Sequence, residues 1–299
     1  MAKLIICDPV AADAVEAMRA LGVDVDVRDD ITLDELAEVI GEYDGMVVRS
    51  RTKVRAPLID KATKLKVIIR GGVGLDSIDV AHAEEKGIAV CNTPAASTNA
   101  VAELALGMMF ALARHLARAD ATMKAGEWAK KALKGTELAG KTLGVIGYGR
   151  IGKALGEKAK VLGMTVVAYD PYCTHEDIVS MDELLKQSDY ISLHLPHTDE
   201  THHLLSTAQF AQMKPGAYLV DAARGGVVDE AALYVALTEG TLAGAARDVY
   251  SQEPPTDEAL RKLVELPQVV ALPHIGAGTV EAQNRIGEEI IKLVKEHLA

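Results

Sequence analysis

Short apolar runs rich in β-branched residues alternate with stretches of helical periodicity along this chain, and that alternation restricts the fold more than any other feature. "KLIICD", "VDVDV", "GMVVRS" and "KVIIR" read as strands, separated by stretches such as "VAADAVEAMRALG". A second series begins with "KTLGVIGYGRIGKALGEKAKVLGMTVVAYDPY" at residues 141–172 and continues through "DYISLHLP", "GAYLVDAARGG", "TLAGAARDVY" and "QVVALPHIGAG". Alternation of this kind predicts parallel sheets with crossover helices. A length of 299 residues accommodates two domains. The expected fold class is therefore α/β, with two doubly wound parallel sheets. The last stretch, "TVEAQNRIGEEIIKLVKEHLA", has no place in the second sheet's strand order and is long enough to return to the first domain. The expected division is residues 1–95 plus 277–299 and residues 96–276. Crossings near residues 92 and 277 would form a hinge whose closure excludes water.

Composition narrows the partners. The formal net charge is −11 and no Lys/Arg-rich segment stands apart, which disfavours nucleic acid and anionic membrane surfaces. Cys7, Cys91 and Cys173 are odd in number and scattered, so neither a disulfide framework nor a zinc site is expected, and a reducing cytoplasm fits best. The N-terminal apolar run is too brief for a signal peptide. The stretch "NAVAELALGMMFALARHLARA", residues 99–119, reads as one helix, too short for a bilayer. It is apolar nearly all round and is expected to be buried, which suggests a homodimer.

Two local patterns carry chemistry. "VIGYGRIG" places Gly147, Gly149 and Gly152 in G-x-G-x-x-G spacing, directly after a strand and opening a helix. The first glycine makes the tight turn, the second admits a pyrophosphate against backbone, and the third lets helix pack on strand. Arg150 and Ile151 follow where helix N-terminal amides face phosphate. Asp170 ends the next strand, where a carboxylate would bind both ribose hydroxyls and repel a 2′-phosphate, favouring NAD over NADP. The other pattern is "ALPHIGAG", residues 271–278, with His274 between an apolar run and a glycine-rich turn. Taken alone, that histidine is a strand-end residue satisfied by local hydrogen bonds.

The motifs "VVRSRTKV", "RGGVGLDSID", "NTPAASTNAVAE", "LGVIGYGRIG", "YDPY", "LHLPHTDETHHLL", "VDAARGGVVDE", "DVYSQEPP" and "LPHIGAGT" occur in this order over nearly the whole length. With them the chain resembles the D-isomer-specific 2-hydroxyacid dehydrogenase family, and within it the branch acting on D-3-phosphoglycerate. The resemblance implies a Rossmann NAD-binding domain inserted in a discontinuous, flavodoxin-like substrate domain. It also implies a catalytic set of His274, Glu253 and Arg224. His274 would exchange the hydroxyl proton, Glu253 would orient the ring and favour its protonated form, and Arg224 would hold the substrate carboxylate or polarise the C2 oxygen. The bland alternatives are a solvated Glu253 and an Arg224 paired with Asp221 or Asp229.

The same resemblance places Gly71, Gly72, Val73 and Gly74 at the substrate carboxylate, with the freed amides of the three glycines as an anion seat. Family members often carry a small hydroxylated residue where Val73 stands, so that position offers only its amide. Arg49 and Ser50 would face the substrate, with Arg51 and Lys53 beside them to receive a phosphate, and Lys130 and Lys131 as further candidates. Cofactor contacts are implied for Leu195, Pro196, Ala222, Ala223, Asp248, Ser97, Thr98, Ile275, Gly276 and Ala277. His194, His197, His202 and His203 read as loop or surface residues. His202 and His203 are adjacent and expected to point apart, so no metal is assigned.

The expected activity is oxidation of D-3-phosphoglycerate to 3-phosphohydroxypyruvate, the entry to serine synthesis, without the serine-sensing C-terminal domain of longer relatives. Alternatives are reduction of glyoxylate, hydroxypyruvate or a D-lactate-type 2-keto acid, or, in another class, an NAD(H)-sensing corepressor-like binding protein.

Overall fold

In the computed structural model, which describes residues 1–299, the first apolar runs form a parallel sheet. Its strands are β1 (Lys3–Ile6), β2 (Asp24–Val27), β3 (Gly45–Val48), β4 (Val67–Arg70) and β5 (Ala89–Asn92), in the order β2-β1-β3-β4-β5. This is the flavodoxin-like order. Because side chains alternate across a strand, Leu4, Ile6, Val47, Val67 and Ile69 enter one core while Ile5, Cys7, Met46, Val48 and Ile68 enter the other. Both faces are covered, which is why all four residues of β3 are buried.

The helix Val280–Leu298 packs on the first of these cores through Ile286, Ile290 and Val294, spaced one turn apart. Thr279 caps it, its side chain accepting from the Ala282 amide at 3.1 Å. Residues 277–299 thus belong to the same unit as residues 1–98. The first boundary falls at residue 98 rather than 95 for a local reason. Ala96 is buried in this unit's core, and its carbonyl accepts from Arg285 Nε at 2.9 Å.

The second unit, residues 99–276, holds β6 (Thr142–Ile146), β7 (Thr165–Tyr169), β8 (Tyr190–Leu193), β9 (Ala217–Asp221), β10 (Leu242–Arg247) and β11 (Val269–Ala271). The parallel order is β11-β10-β9-β8-β6-β7. Leu143, Val145, Tyr190, Val220 and Ala246 enter one core and Ile146, Ile191, Leu193, Leu219 and Ala245 the other. Strand β6 pairs with β7 on one side and β8 on the other, so the winding reverses there. The loop after β6 therefore opens at the crevice where doubly wound folds bind ligands.

The stretch expected to form one helix over 99–119 forms two, Thr98–Arg114 and Leu116–Lys124, bent by 63°. His115, at φ 53°, breaks the ladder. The Ala113 carbonyl is taken instead by the Thr136 amide at 2.9 Å, so a neighbouring segment replaces the next helical turn. Ala102, Ala105, Met108, Met109 and Leu112 bury in the chain's own core, so much of the apolar circumference is spent within the unit. No single helix is long and apolar enough to cross a membrane.

Ile290 is 0% exposed, whereas Val280 on the same helix is 75% exposed. Ile290→Ala is expected to destabilise the first unit by about 2 to 5 kcal/mol, and Val280→Ala by less than about 0.5 kcal/mol. Urea unfolding monitored by circular dichroism checks both.

Candidate active site

Three loops leave the carboxyl ends of β9, β10 and β11, and they bring Arg224, Glu253 and His274 to one edge of the second sheet. His274 Nδ1 lies 2.7 Å from Glu253 Oε2, and the two side chains are 43% and 37% exposed. Glu253 Oε1 also accepts from the Tyr250 amide at 3.1 Å. Burial works to raise the Glu253 pKa, but the His274 bond and charge, the Tyr250 amide and the Arg224 charge outweigh it and hold it below the usual value. The His274 pKa is raised, chiefly by the bond to Glu253, against the opposing effect of burial. An ionised Glu253 only accepts, so Nδ1 carries the donated proton and Nε2 is left for other partners. Arg224 donates through Nη1 to the Ala223 carbonyl at 2.6 Å. Its charge lowers the pKa of both members of the pair.

The loops are held from behind by buried carboxylates. His274 sits at φ 54°, an uncommon conformation for a side-chain-bearing residue, and its surroundings must hold it there. Asp248 does so: its two oxygens accept from the Ile275 and Gly276 amides, each at 2.8 Å. This residue is 1% exposed. The family resemblance implies a cofactor contact for it. In the structure it clamps the turn that carries His274. Asp221, which ends β9, accepts from the Ala223 amide at 3.2 Å, and the cation it faces is Arg247, not Arg224.

The glycine loop after β6 fits a dinucleotide. Gly147 has φ +90°, and a Cβ there would lie 2.5 Å from the His194 carbonyl oxygen. A Cβ on Gly152 would lie 2.2 Å from the Gly147 carbonyl oxygen, so helix and strand could not pack as they do. Nothing lies within 4 Å of the corresponding point on Gly149, which caps the helix Arg150–Val161 and leaves backbone open to a phosphate. Arg150 is exposed and Ile151 half-buried in the first turn. Asp170 accepts from the Tyr148 and Tyr172 amides, each at 2.9 Å, so it braces the glycine loop and makes a local turn; a carboxylate keeps lone pairs beyond these for hydroxyls.

Among the other expected cofactor contacts, Leu195 packs on a core of the second unit and Pro196 is exposed. Ala222 is half-buried, Ala223 and Gly276 are buried, and Ile275 is 44% exposed. Ser97, Thr98 and Ala277 belong to the first unit. Ser97 is buried and the Thr98 hydroxyl is buried without a partner.

The first unit revises the expected anion seat. The Gly71 amide donates to the Val48 carbonyl and the Gly72 amide to the Arg70 carbonyl, each at 2.9 Å, so neither is free. The Val73 and Gly74 amides make no hydrogen bond within the chain. Asn92 steadies the loop by donating to the Val73 carbonyl at 2.6 Å. Arg51 is not available for a phosphate either. It donates to Asp8 Oδ1 at 2.9 Å and to the carbonyls of Ile31, Asp29 and Cys7, because buried Asp8 needs a cation. Arg49 donates through Nη1 to Gln283 at 2.5 Å, Ser50 is exposed, and Lys53 reaches the Ser50 carbonyl at 3.2 Å. Lys130 and Lys131 are exposed in a short turn of the second unit.

The expectation that His202 and His203 point apart is overturned. Their rings stack with centroids 4.0 Å apart, because His203 has φ 50° and the chain turns beneath them. His202 Nδ1 lies 3.1 Å from His197 Nε2.

Two groups escaped sequence reasoning. Arg70, at the end of β4, donates to Ser50 Oγ at 3.2 Å; its only signal was a basic residue at a strand end directly before the glycines. Arg247 is fully buried beneath the loops that carry Arg224 and Glu253, and its signal was an arginine closing the otherwise uncharged strand "LAGAAR".

The sequence model described as D-isomer specific 2-hydroxyacid dehydrogenase, NAD binding domain, matches residues 106–276. A hydroxypyruvate reductase of Thermotoga maritima is 52% identical over 268 residues, which cover 88% of this chain and 88% of that protein. A D-3-phosphoglycerate dehydrogenase of Methanocaldococcus jannaschii is 47% identical over the whole of this chain, which spans only 59% of that protein. The crystal structure of the D-lactate dehydrogenase of Aquifex aeolicus, complexed with NAD and lactic acid, superposes with a TM-score of 0.85 at 32% identity, covering 98% of this chain and 94% of that one. By its sequence, its two sheets and its glycine loop, this chain belongs to the D-isomer-specific 2-hydroxyacid dehydrogenase family and carries that family's NAD-binding domain.

Proposed function

We propose that this chain interconverts D-3-phosphoglycerate and 3-phosphohydroxypyruvate, with His274 as the acid/base, Glu253 as its orienting partner and Arg224 as the substrate anchor. The observation that carries the reading is the 2.7 Å contact between His274 Nδ1 and Glu253. Bound NAD supplies the acceptor for hydride in oxidation and its donor in reduction. In oxidation, His274 Nε2 takes the hydroxyl proton of the substrate as the C2–H bond breaks. In reduction, the protonated ring returns that proton to the forming alkoxide. Glu253 stabilises the imidazolium formed on the way, and the planar donors of Arg224 suit a carboxylate. Two arginines near strand ends of the first unit, Arg49 and Arg70, support a substrate with a second anionic group, as do the Val73 and Gly74 amides.

A second reading, hydroxypyruvate as the substrate, is favoured by the Thermotoga maritima relative and by the commitment of Arg51 to Asp8. Rates on 3-phosphohydroxypyruvate and hydroxypyruvate with NADH separate the two. The phosphate reading predicts a KM for 3-phosphohydroxypyruvate that rises about tenfold or more in Arg49→Ala, while hydroxypyruvate kinetics barely change. Equal kcat/KM on the two acids in the wild type would defeat it.

His274→Ala is expected to lose about 100- to 10,000-fold in kcat with NADH binding retained. Glu253→Gln removes the carboxylate charge and leaves at most a neutral hydrogen bond to Nδ1, so the hold that raises the His274 pKa is weakened. Reduction needs the protonated ring, so its alkaline limit should move to lower pH. Oxidation needs the neutral ring, so its acid limit should move the same way. Rate profiles in both directions check the sign.

We also propose that the chain forms a homodimer through the helices Thr98–Arg114 and Leu116–Lys124, on which Phe110, Leu116 and Met123 are 38%, 51% and 57% exposed, with Trp128 79% exposed just after them. Light scattering after gel filtration is expected to give twice the 31.8 kDa chain mass, and a Leu116→Lys/Trp128→Lys variant is expected to elute as a monomer.

A further inference from the structure

Arg247 is the largest fully buried side chain of this protein. Burying a guanidinium removes it from water at a cost of several kcal/mol, on the order of what a whole domain has to spare. Its surroundings explain what holds it there. Nη2 lies 3.4 Å from Asp221 Oδ2. Nη1 lies 2.8 Å from Glu230 Oε1, an ion pair off the N–H direction. Cζ lies 5.2 Å from the centroid of the Tyr250 ring.

Each of these partners is attached to a loop that carries a proposed catalytic group. The other oxygen of Asp221 accepts from the amide of Ala223, the residue before Arg224. Glu230 accepts from the Ser251 amide at 3.1 Å and from the Ser251 hydroxyl, fixing the loop that leads to Glu253. The Tyr250 amide donates to Glu253 itself, and the Tyr250 hydroxyl donates back to the Arg247 carbonyl at 3.3 Å. The next residue along the chain, Asp248, clamps the turn bearing His274.

We infer that Arg247 is a positioning residue: its buried guanidinium, held between Asp221, Glu230 and Tyr250, fixes the Arg224 and Glu253 loops relative to each other. The inference rests on the roles proposed above for Arg224, Glu253 and His274. Burial pushes the Asp221 carboxyl up to about 6 against the opposing pull of Arg247, so this carboxylate relies on the guanidinium for its charge. A lysine ammonium is a single point charge and cannot bridge two carboxylates as a planar fork does.

The test uses Arg247→Lys and the double variant Asp221→Asn/Arg247→Leu. The double variant removes the two fully buried charges together and leaves Glu230, 13% exposed, its bonds to Ser251, so it folds even where a single replacement strands Asp221. Melting temperature, NADH affinity, and kcat and its pH dependence for 2-keto acid reduction are measured on both. The expected result is folded protein that binds NADH as the wild type does. Its kcat falls about tenfold because the reacting groups are misplaced, and its alkaline limit moves to lower pH as Glu253 loosens its hold on His274. Wild-type kcat and an unmoved pH limit in whichever variant folds would show that Arg247 serves stability alone and would overturn the inference. A His274→Gln control separates the two layers. If it reduces 2-keto acids at the wild-type rate, the reading of the site fails first. If it is inactive while the Arg247 variants behave as wild type, only the positioning role fails.

Discussion

The functional edges of both sheets depend on one interaction: a carboxylate at the end of a parallel strand, accepting hydrogen bonds from backbone amides of a loop. Asp8 follows β1 and accepts from the Arg49 amide at 2.5 Å and from Thr52. Asp170 follows β7 and accepts from Tyr148 in the glycine loop. Asp221 ends β9 and accepts from Ala223, and Asp248 follows β10 and accepts from Ile275 and Gly276. A carboxylate has room for about four hydrogen bonds and only accepts them, so it can pin several amides that a strand end leaves unpaired. Burial makes these bonds strong and makes their loss expensive.

The four carboxylates differ in what balances them. Asp8 and Asp221 have an arginine each, Arg51 and Arg247. Asp170 and Asp248 take two backbone amides each. For Asp248 burial still prevails and its carboxyl is pushed above the usual range, with the Ile275 and Gly276 amides opposing. The loops are therefore positioned by polar groups beneath them, while apolar cores on both faces of each sheet supply the rigid support. This arrangement suits proton-transfer chemistry, which tolerates little error in the placement of donor and acceptor.

Local requirements were readable from the chain. Gly147 and Gly152 announce their roles because a positive φ at one and a close helix packing at the other exclude a side chain, while Gly149 leaves the open approach that a phosphate needs. The return of residues 277–299 to the first unit was legible from a long helical stretch with no place in the second sheet's strand order. The helix break at His115 was not, because it comes from a distant segment, around Thr136, taking a carbonyl the helix would otherwise have used. The stacking of His202 on His203 was missed for a different reason: a left-handed residue other than glycine leaves no reliable mark in sequence.

The sequence by itself determined the two parallel sheets and the glycine loop, because periodicity and residue chemistry act over a few positions at a time, while Arg224, Glu253 and His274 were singled out only by the resemblance of their motifs to a family. Only the tertiary structure decided which polar groups are already spoken for. Arg51 turned out to belong to Asp8, the Gly71 amide to Val48, Asp248 to the His274 turn, and Arg247 to Asp221 and Glu230. Hydrogen-bond partners far apart in the chain are chosen by strand order and register, and a buried donor or acceptor accepts whichever partner the fold brings within reach.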